Sequence, residues 1–156
     1  MTDSPASGQP PTNLESLLCF AVYSAGLAFN RAYRRVLGSL GLTYPQYLVM
    51  LALWSEDGVT VGRLGECLSL DTNTLTPLLK RLQAQGMLTR RRSSVDERYV
   101  VIALTDKGRG LRPEAESAMR CVISSLGMAE ADLLRLADEI QAVRRQLERA
   151  APRMAS

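Results

Sequence analysis

The chain has 156 residues, a net charge of +3 and three cysteines, and it contains no histidine. A chain of this length can bury a core without covalent staples, so the cysteines are not required as a disulfide framework. The lack of histidine excludes Ser-His-Asp and Cys-His catalysis and nearly all zinc sites, and we expect neither a metal nor another cofactor.

The N-terminal stretch MTDSPASGQPPTN has neither the basic start nor the apolar segment of a targeting peptide. We expect residues 1–12 to form a disordered tail. Widely spaced cysteines in a chain without a signal peptide are typical of a reducing cytosol, so a cytoplasmic protein is expected.

The first predicted helix begins at the sequence TNLE, in which Thr12 and Glu15 fit a capping box, and it runs to about Ser39. Its segment LLCFAVYSAGLAF is apolar on all sides but too short for a membrane span, which needs about 20 apolar residues. A helix of this kind is buried in protein, and in a chain this short we expect burial against another subunit.

Two shorter helices are predicted next along the chain. Pro45 lies in the first turn of PQYLVMLALWS, where its missing N–H costs nothing. After an EDG turn, VTVGRLGECLSL predicts a short helix with Val61, Leu64 and Leu68 at helical spacing.

The segment NTLTPLLKRLQAQG predicts a fourth helix that ends at Gly86. Because proline inside a helix costs about 3 kcal/mol, we expect a start near Asn73 or Thr74, which places Pro77 in or beside the first turn. The inward-facing residues are expected to be Leu75, Leu78, Leu79 and Leu82.

Two β-rich runs, MLTRRR and RYVVIALT, follow and predict a hairpin joined by SSVDE. Thr105 is expected to cap one long helix over DKGRGLRPEAESAMRCVISSLG. The last segment predicts an amphipathic helix whose apolar stripe consists of Ala131, Leu134, Ala137, Ile140, Val143 and Leu147.

This order predicts a mainly α fold with a small β-hairpin wing, that is, a winged helix-turn-helix. We expect residues 45–104 to form the DNA-binding domain, and residues 13–44 and 105–156 to form a helical dimerisation region. Between Lys80 and Arg112 there are nine Lys or Arg against three Asp or Glu, whereas the rest of the chain has ten against thirteen. A solvated charged surface would explain this charge asymmetry equally well. A cluster of positive charge also suits a face that binds a polyanion.

In a winged helix-turn-helix, short polar side chains at the start of the fourth helix suit base edges and phosphates in the major groove. The candidates there are Asn73, Thr74, Thr76 and Lys80. The arginines of the hairpin are expected to enter the minor groove, and Asp96 is expected to hold Arg98 through a charge-assisted pair rather than to serve only as a turn residue. These wing arginines are Arg90, Arg91, Arg92 and Arg98.

Two motifs carry a resemblance to a known family. DERYVVIALTDKG resembles the wing signature of the MarR family, and LDTNTLTPLLKRLQAQGMLTRRR resembles its recognition helix and first wing strand. The resemblance implies a homodimer that binds pseudo-palindromic operator DNA, usually as a repressor.

Within that family, LCFAVYSAGLAFNRAYRRVLGSLGLTYPQYLVMLALW is similar to the organic hydroperoxide resistance regulators. This resemblance implies that Cys19 is a peroxide sensor whose sulfur is bonded by Tyr33 and Tyr44, and Tyr23 also matches a family tyrosine. Cys121 falls where the two-cysteine branch carries its resolving thiol. Organic hydroperoxides would then be the oxidant and cellular thiols the reductant.

Helix geometry restricts how such a sensor is built. Cys19 and Tyr33 are 14 residues apart, which corresponds to about 21 Å on one straight helix. If Tyr33 contacts Cys19, it must therefore come from the other subunit, with the two first helices crossing antiparallel.

Two other functions remain open at this stage. A MarR-type repressor could be released by a small phenolic ligand, with Cys19 inert, because a buried cysteine usually packs as a small hydrophobe. A thiol peroxidase that uses Cys19 is the enzymatic alternative, but no arginine near Cys19 in sequence is available to activate a peroxide, and we expect no enzyme. Cys67 is expected to be structural.

Overall fold

A computed structural model describes residues 13–154; the predicted tail of residues 1–12 and the proposed cap Thr12 lie outside them. The chain divides into two compact units, Met1–Met119 and Arg120–Ser156. In chain order the helices and strands are α1 (Leu18–Leu37), α2 (Tyr44–Ser55), β1 (Val59–Thr60), α3 (Val61–Leu68), α4 (Thr72–Ala84), β2 (Leu88–Arg92), β3 (Val100–Leu104), α5 (Asp106–Gly110), α6 (Arg112–Ser125) and α7 (Glu130–Met154).

The core of the first unit is built from apolar side chains that repeat at helical spacing in α2, α3 and α4. Leu75, Leu79 and Leu82 of α4 are completely buried, as predicted, whereas Leu78 is only half-buried because it lies at the border of this apolar stripe. The strands contribute Leu88 and Ile102, so the wing is anchored on the same core.

Helix α1 begins at Leu18 and not at the predicted position near Thr12. The Asn13 side chain accepts a hydrogen bond from the Glu15 N–H at 3.1 Å and caps a single 3-10 turn, Leu14–Ser16. Leu17 then has extended backbone angles, so the α-helix starts only after it. The later start places Cys19 in the first turn of α1.

The segment VTVGRLGECLSL is not entirely helical, because Val59 and Thr60 form strand β1. This strand pairs with β3 through Val59↔Ile102 and Thr60↔Val101, which gives a three-stranded antiparallel sheet in the order β1-β3-β2. Two residues are too few to show an alternating pattern, so only pairing with a distant strand reveals β1.

Helix α4 begins at Thr72 and is capped by Asp71, whose carboxylate accepts a 2.7 Å hydrogen bond from the Thr74 N–H. Pro77 is therefore inside the helix, beyond the first turn where it was expected. Proline cannot donate to the carbonyl four residues earlier, so the Asn73 carbonyl lacks its helical donor. Burial of the three leucines on the opposite side outweighs this loss.

The long helix predicted after the wing is divided at Leu111 into α5 and α6. Thr105 caps α5 as expected, because its hydroxyl accepts from the Gly108 N–H at 3.0 Å. Pro113 explains the break, since it has no N–H for the carbonyl of Arg109.

Asp57, in the turn between α2 and β1, ties three elements together. Its carboxylate accepts hydrogen bonds from the N–H groups of Gly58 and Leu104 and from the Arg109 guanidinium, each at 2.8 Å. Partial burial raises the pKa of Asp57, but these hydrogen bonds outweigh it and hold the pKa below its usual value. The ionised carboxylate thus fixes the turn between α2 and β1 to the end of β3 and to α5.

Among residues 13–154, no single helix is long and apolar enough to cross a membrane. The segments Leu18–Leu40 and Tyr44–Ser55 reach the length and apolar composition of a membrane span only when they are taken together. A bend of 70° separates them.

Candidate functional site

The start of α4 presents the polar residues that the sequence predicts for the major groove. Asn73, Thr74 and Lys80 are exposed, while Thr76 is half-buried on the side of the helix that faces the wing. The pKa of Asp71 is lowered chiefly by hydrogen bonds from Thr74, so the cap stays ionised at neutral pH. The cap holds the helix N-terminus and its exposed side chains in a defined place.

The wing contains the predicted pair of Asp96 and Arg98. The Arg98 Nη2 donates to Asp96 Oδ2 at 2.6 Å, its Nε donates to both carboxylate oxygens, and its backbone N–H donates to Oδ1 at 3.0 Å. The side-chain hydrogen bond from Arg98 is the main reason that the pKa of Asp96 is lowered. The guanidinium is held in one direction and still remains 83% exposed.

Arg90, Arg91 and Arg92 follow one another on β2 but have different surroundings. Arg91 and Arg92 are exposed, whereas Arg90 is half-buried and its Nε has no hydrogen-bond partner among the described residues. Arg90 lines a groove of about 270 Å³ between α4, the start of α3 and the wing. The other polar residues that line this groove are Thr60, Thr72, Thr76, Arg98 and Tyr99.

The groove combines two guanidinium groups with hydroxyl groups that donate hydrogen bonds. Such a set of donors favours an anion, either a phosphate of a nucleic-acid backbone or the acidic group of a small molecule. Thr60 and Tyr99 were not recognised as site residues in the sequence, because neither belongs to a basic run or to the predicted recognition helix.

Cys19 is an exposed free thiol in the first turn of α1. Cys67 on α3 and Cys121 on α6 are also exposed free thiols. The first hydrogen bond of α1 runs from the Ala21 N–H to the Leu17 carbonyl. The N–H groups of the first turn, including that of Cys19, therefore have no helical acceptor, and they favour an anion nearby. The effect is stronger than a start at Thr12 would give.

Tyr33 and Tyr44 lie against each other at the opposite end of α1. Their ring centroids are 4.5 Å apart and the rings are nearly parallel. Tyr47 joins them, with its ring 5.6 Å from that of Tyr33, although sequence reasoning did not single it out. Its position three residues after Tyr44 on one helix was the available signal.

Burial raises the pKa of Tyr33 and of Tyr44, and it raises the pKa of Tyr47 to about 12. All three phenols are therefore protonated at neutral pH and can donate hydrogen bonds. The Tyr47 hydroxyl is buried and has no hydrogen-bond partner among the described residues. The cluster thus offers neutral donors, which suit a thiolate or an oxidised sulfur as acceptor.

The structure does not bring Cys19 and Tyr33 together within one chain. Both residues lie on the continuous helix α1, so the helical rise separates them by about 21 Å. Tyr23, between them, is exposed and makes no contact with the other three tyrosines. Among the residues of the described chain, no group of three or more His, Cys, Asp or Glu could hold a metal ion.

The arrangement of α3, α4 and a basic hairpin defines a winged-helix protein. Residues 31–114 match the family described as transcriptional regulator SarA/Rot. The chain belongs to this family of MarR-like winged-helix transcriptional regulators, and the resemblance to the MarR family seen in the sequence is confirmed.

Two regulators and one solved structure show the relationship in detail. The chain is 50% identical to the HTH-type transcriptional regulator TtmR of Methylorubrum extorquens over 88% of its length and 70% of the relative's. It is 47% identical to the organic hydroperoxide resistance transcriptional regulator of Bacillus subtilis, over 65% and 69% of the two lengths. Reduced AbfR bound to DNA is 34% identical, with a TM-score of 0.74 over 86% of this chain and 93% of that one.

AbfR of Staphylococcus epidermidis has also been solved in a disulfide-formed state. That structure is 36% identical to the chain and has a TM-score of 0.63, covering 83% of this chain and 91% of AbfR.

Proposed function

We propose that the protein is a redox-sensing repressor, which binds operator DNA as a homodimer when Cys19 is reduced and releases it when organic hydroperoxide oxidises Cys19. The observation that carries the proposal is the stack of Tyr33 and Tyr44 at the opposite end of α1 from an exposed Cys19. The relationship to an organic hydroperoxide resistance regulator supports it.

A second copy of the chain supplies the missing half of the sensor. Among the exposed apolar side chains of the first helical segment, Leu18 and Val22 lie four residues apart and form one face of α1 that water does not favour; the others are Leu14, Tyr23 and Leu27. If two α1 helices cross antiparallel through this face, Cys19 of one protomer comes beside the Tyr33–Tyr44 stack of the other. In this proposal residues 13–44 and 105–156 form the dimerisation region.

Helix α7 supports the same assembly from the second unit. Leu134, Ile140 and Leu147 of the predicted stripe are exposed in the single chain, as is Leu136. An amphipathic helix that leaves its apolar side chains in water gains stability when a second copy covers them.

The proposed sensing step is a two-electron oxidation of sulfur. The Cys19 thiolate attacks one oxygen of the hydroperoxide, the O–O bond breaks, and the alkoxide that leaves takes a proton and becomes an alcohol. The sulfur becomes a sulfenic acid, which is larger and more polar than the thiol. Since Tyr33 and Tyr44 remain protonated, they can donate to the thiolate before the step and to the sulfenic oxygen after it.

Cys121 is proposed as the resolving thiol. Its sulfur attacks the sulfenic sulfur of Cys19, an S–S bond forms, and the sulfenic oxygen leaves as water. Two equivalents of a cellular thiol would then reduce this disulfide and themselves become a disulfide. The disulfide-formed state of the relative AbfR supports this step.

Replacing Cys121 by Ser should leave the first oxidation intact but make it harder to reverse. Without a resolving thiol, the sulfenic acid persists and excess hydroperoxide converts it to sulfinic acid, which thiols do not reduce. Mass spectrometry after peroxide treatment, followed by dithiothreitol and a DNA-binding assay, measures both effects. Full recovery of operator binding by Cys121→Ser at wild-type rate would remove Cys121 from the mechanism.

We propose that residues 45–104 read the operator, with the start of α4 in the major groove and the wing in the minor groove. Asn73, Thr74, Thr76 and Lys80 would contact bases and phosphates. Arg90, Arg91, Arg92 and Arg98 would contact the backbone and the minor groove, and Asp96 would direct Arg98. The groove beside Arg90 suits a backbone phosphate.

Arg98→Ala should weaken operator binding by about 10-fold, because it removes one exposed cation that the Asp96 pair has already oriented. The slope of log affinity against log salt concentration should also become shallower by about 1, because fewer counterions are released. Arg149→Ala, at an exposed position of α7 outside the proposed DNA-binding residues 45–104, is a matched charge control. Unchanged affinity at physiological salt would exclude the wing contact.

The alternative function, release by a phenolic ligand, is favoured by one observation. The groove that contains the half-buried Arg90 is large enough for a small aromatic acid and lies next to Thr76 on α4. A ligand in this position would compete with DNA directly and would need no sulfur chemistry. Release of DNA by a phenolic acid in a Cys19→Ser variant would support this alternative.

The proposed function is tested by titrating operator binding against cumene hydroperoxide, with and without dithiothreitol. We expect about one equivalent of hydroperoxide per protomer to release the DNA and dithiothreitol to restore binding. Retention of DNA by fully oxidised protein would refute the proposal. Many turnovers of peroxide per protein in the presence of dithiothreitol would instead indicate a thiol peroxidase.

A further inference from the structure

The connection between α1, which carries Tyr33, and α2, which begins at Tyr44, is hydrogen-bonded to the end of α4. It consists of a 3-10 turn, Gly38–Leu40, followed by Gly41 in a left-handed conformation with φ of 65°. The buried Leu42 then donates its N–H to the Leu37 carbonyl at 3.2 Å. Tyr44 begins α2 three residues after Gly41, so the two cannot be more than about 11 Å apart.

This connection is held firmly at both sides. Thr43 and Gln46 form a capping box at the start of α2, in which the Thr43 N–H donates to Gln46 Oε1 at 2.9 Å. The Gly41 N–H donates to the Gly38 carbonyl at 3.1 Å. The Leu42 N–H belongs to the same peptide group as the Gly41 carbonyl and is bonded to Leu37, so this carbonyl is tied to the end of α1 and lies two residues before the capping box of α2.

Gln85, the C-cap of α4, is bonded to that carbonyl. Its Nε2 donates to the Gly41 oxygen at 2.9 Å, across 44 positions of sequence. Among the hydrogen bonds of residues 13–154, it is the one that links α4 to the α1–α2 connection. The backbone of Gln85 is fixed separately, since its carbonyl accepts from the Lys107 Nζ at 2.8 Å.

The other half of the Gln85 amide is poorly satisfied. Its Oε1 is buried and has no hydrogen-bond partner among the described residues. A buried amide oxygen of this kind is uncommon and unfavourable, so packing alone does not account for glutamine at this position. An apolar side chain of the same length would fill the space without the unsatisfied oxygen, but it could not donate to Gly41.

We propose that Gln85 is a positioning residue that couples the tyrosine stack to the DNA-reading end of α4. The inference rests on the proposed redox function. A change at Tyr44 moves the Gly41 carbonyl, and the Gln85 amide transfers this movement to the C-terminal end of α4. Thr74 lies 11 residues earlier, about 16 Å along the same rigid helix, so a small tilt at Gln85 displaces it from the operator.

The test compares Gln85→Met with Gln83→Met, an exposed neighbour on α4. Operator affinity is measured for reduced protein and after one equivalent of cumene hydroperoxide, while dimedone labelling followed by mass spectrometry measures Cys19 oxidation separately. In Gln85→Met, we expect Cys19 to be oxidised at the wild-type rate. The ratio of operator affinity in the reduced protein to that in the oxidised protein should fall by at least about tenfold. Gln83→Met should keep the wild-type ratio.

Each outcome has one meaning. A wild-type affinity ratio in Gln85→Met, with Cys19 fully oxidised, overturns the coupling role and leaves the redox function intact. Retention of DNA by oxidised wild-type protein overturns both. If Gln85→Met does not fold, Gln85→Glu is measured in the same way, because its carboxylate has the same size and cannot donate to Gly41.

A second measurement uses reduced protein only. In a double-mutant cycle of Tyr44→Ala and Gln85→Met, coupling predicts that the effects on operator affinity deviate from additivity by at least about threefold. Additive effects overturn the proposal, because the two side chains would then act on α4 independently.

Discussion

Replacing Cys19 by Ser is expected to leave operator binding by the reduced protein unchanged and to abolish its release by organic hydroperoxide. Shifting a regulator from almost entirely bound to almost entirely free requires a change in affinity on the order of 10⁴-fold. A covalent change at a subunit interface can supply such a difference, whereas a serine hydroxyl does not react with a peroxide. Fluorescence anisotropy of labelled operator DNA measures the change.

Cys67→Ser is the matched control for this experiment. Cys67 is also an exposed thiol, but it lies on α3, far along the chain from the tyrosine stack. The control should respond to cumene hydroperoxide as wild type does. If Cys19→Ser releases DNA as readily as wild type, the sensing role of Cys19 is wrong and the ligand-released alternative gains support.

Gly108→Ala is expected to cause a large loss of stability. A Cβ at Gly108 would overlap the backbone carbonyl of Met87, and it would lie 3.3 Å from a methyl group of Leu104. Backbone atoms cannot rotate away as a flexible side chain does, so we expect a loss of at least about 3 kcal/mol in the free energy of unfolding. Thermal unfolding followed by circular dichroism should show a decrease of about 10 °C.

The close approach at Gly108 exists because α5 is fixed on the turn between α4 and β2. The Thr105 N–H donates to the Met87 carbonyl at 3.1 Å, and the Thr105 hydroxyl donates to the Gly86 carbonyl at 2.6 Å. An alanine at Gly108 would therefore push α5 away from the region that positions both α4 and the wing. We expect operator binding to weaken together with stability.

Gly110→Ala, in the same short helix, is the control with the opposite expected sign. A Cβ at Gly110 would meet no atom within 4 Å. Alanine loses less conformational entropy than glycine when a helix forms, so a gain of about 0.5 kcal/mol is expected. An equal effect of the two substitutions would show that helix propensity, and not the contact with Met87, determines the result.

Much of the proposed DNA interface was predictable because its elements depend on local patterns. The leucine spacing of α4 predicts a helix with one buried face, and Leu75, Leu79 and Leu82 are buried. Likewise, Asp96 lies only two positions before Arg98, so the chain itself brings their charges together and the predicted pair is formed. Such interactions need no knowledge of distant segments.

Several of the errors, although not the start of α1 or the break at Leu111, originate in contacts that local patterns do not show. Strand β1 exists only because Val59 and Thr60 pair with β3, and Asp57 gains its role from Leu104 and Arg109, which lie 47 and 52 residues away. Pro77 could stay inside α4 because buried leucines compensate for the lost hydrogen bond. Local propensity does not contain these energies.

The amino-acid sequence alone determined the family, the helical periodicity, the basic wing and the pairing of Cys19 with tyrosine partners as a hypothesis, because each depends on residue type and short spacing. Only the tertiary structure decided that Tyr33, Tyr44 and Tyr47 form one stack and that Gln85 donates to Gly41. These contacts join residues on different helices, and their formation depends on how a whole core packs rather than on any single segment.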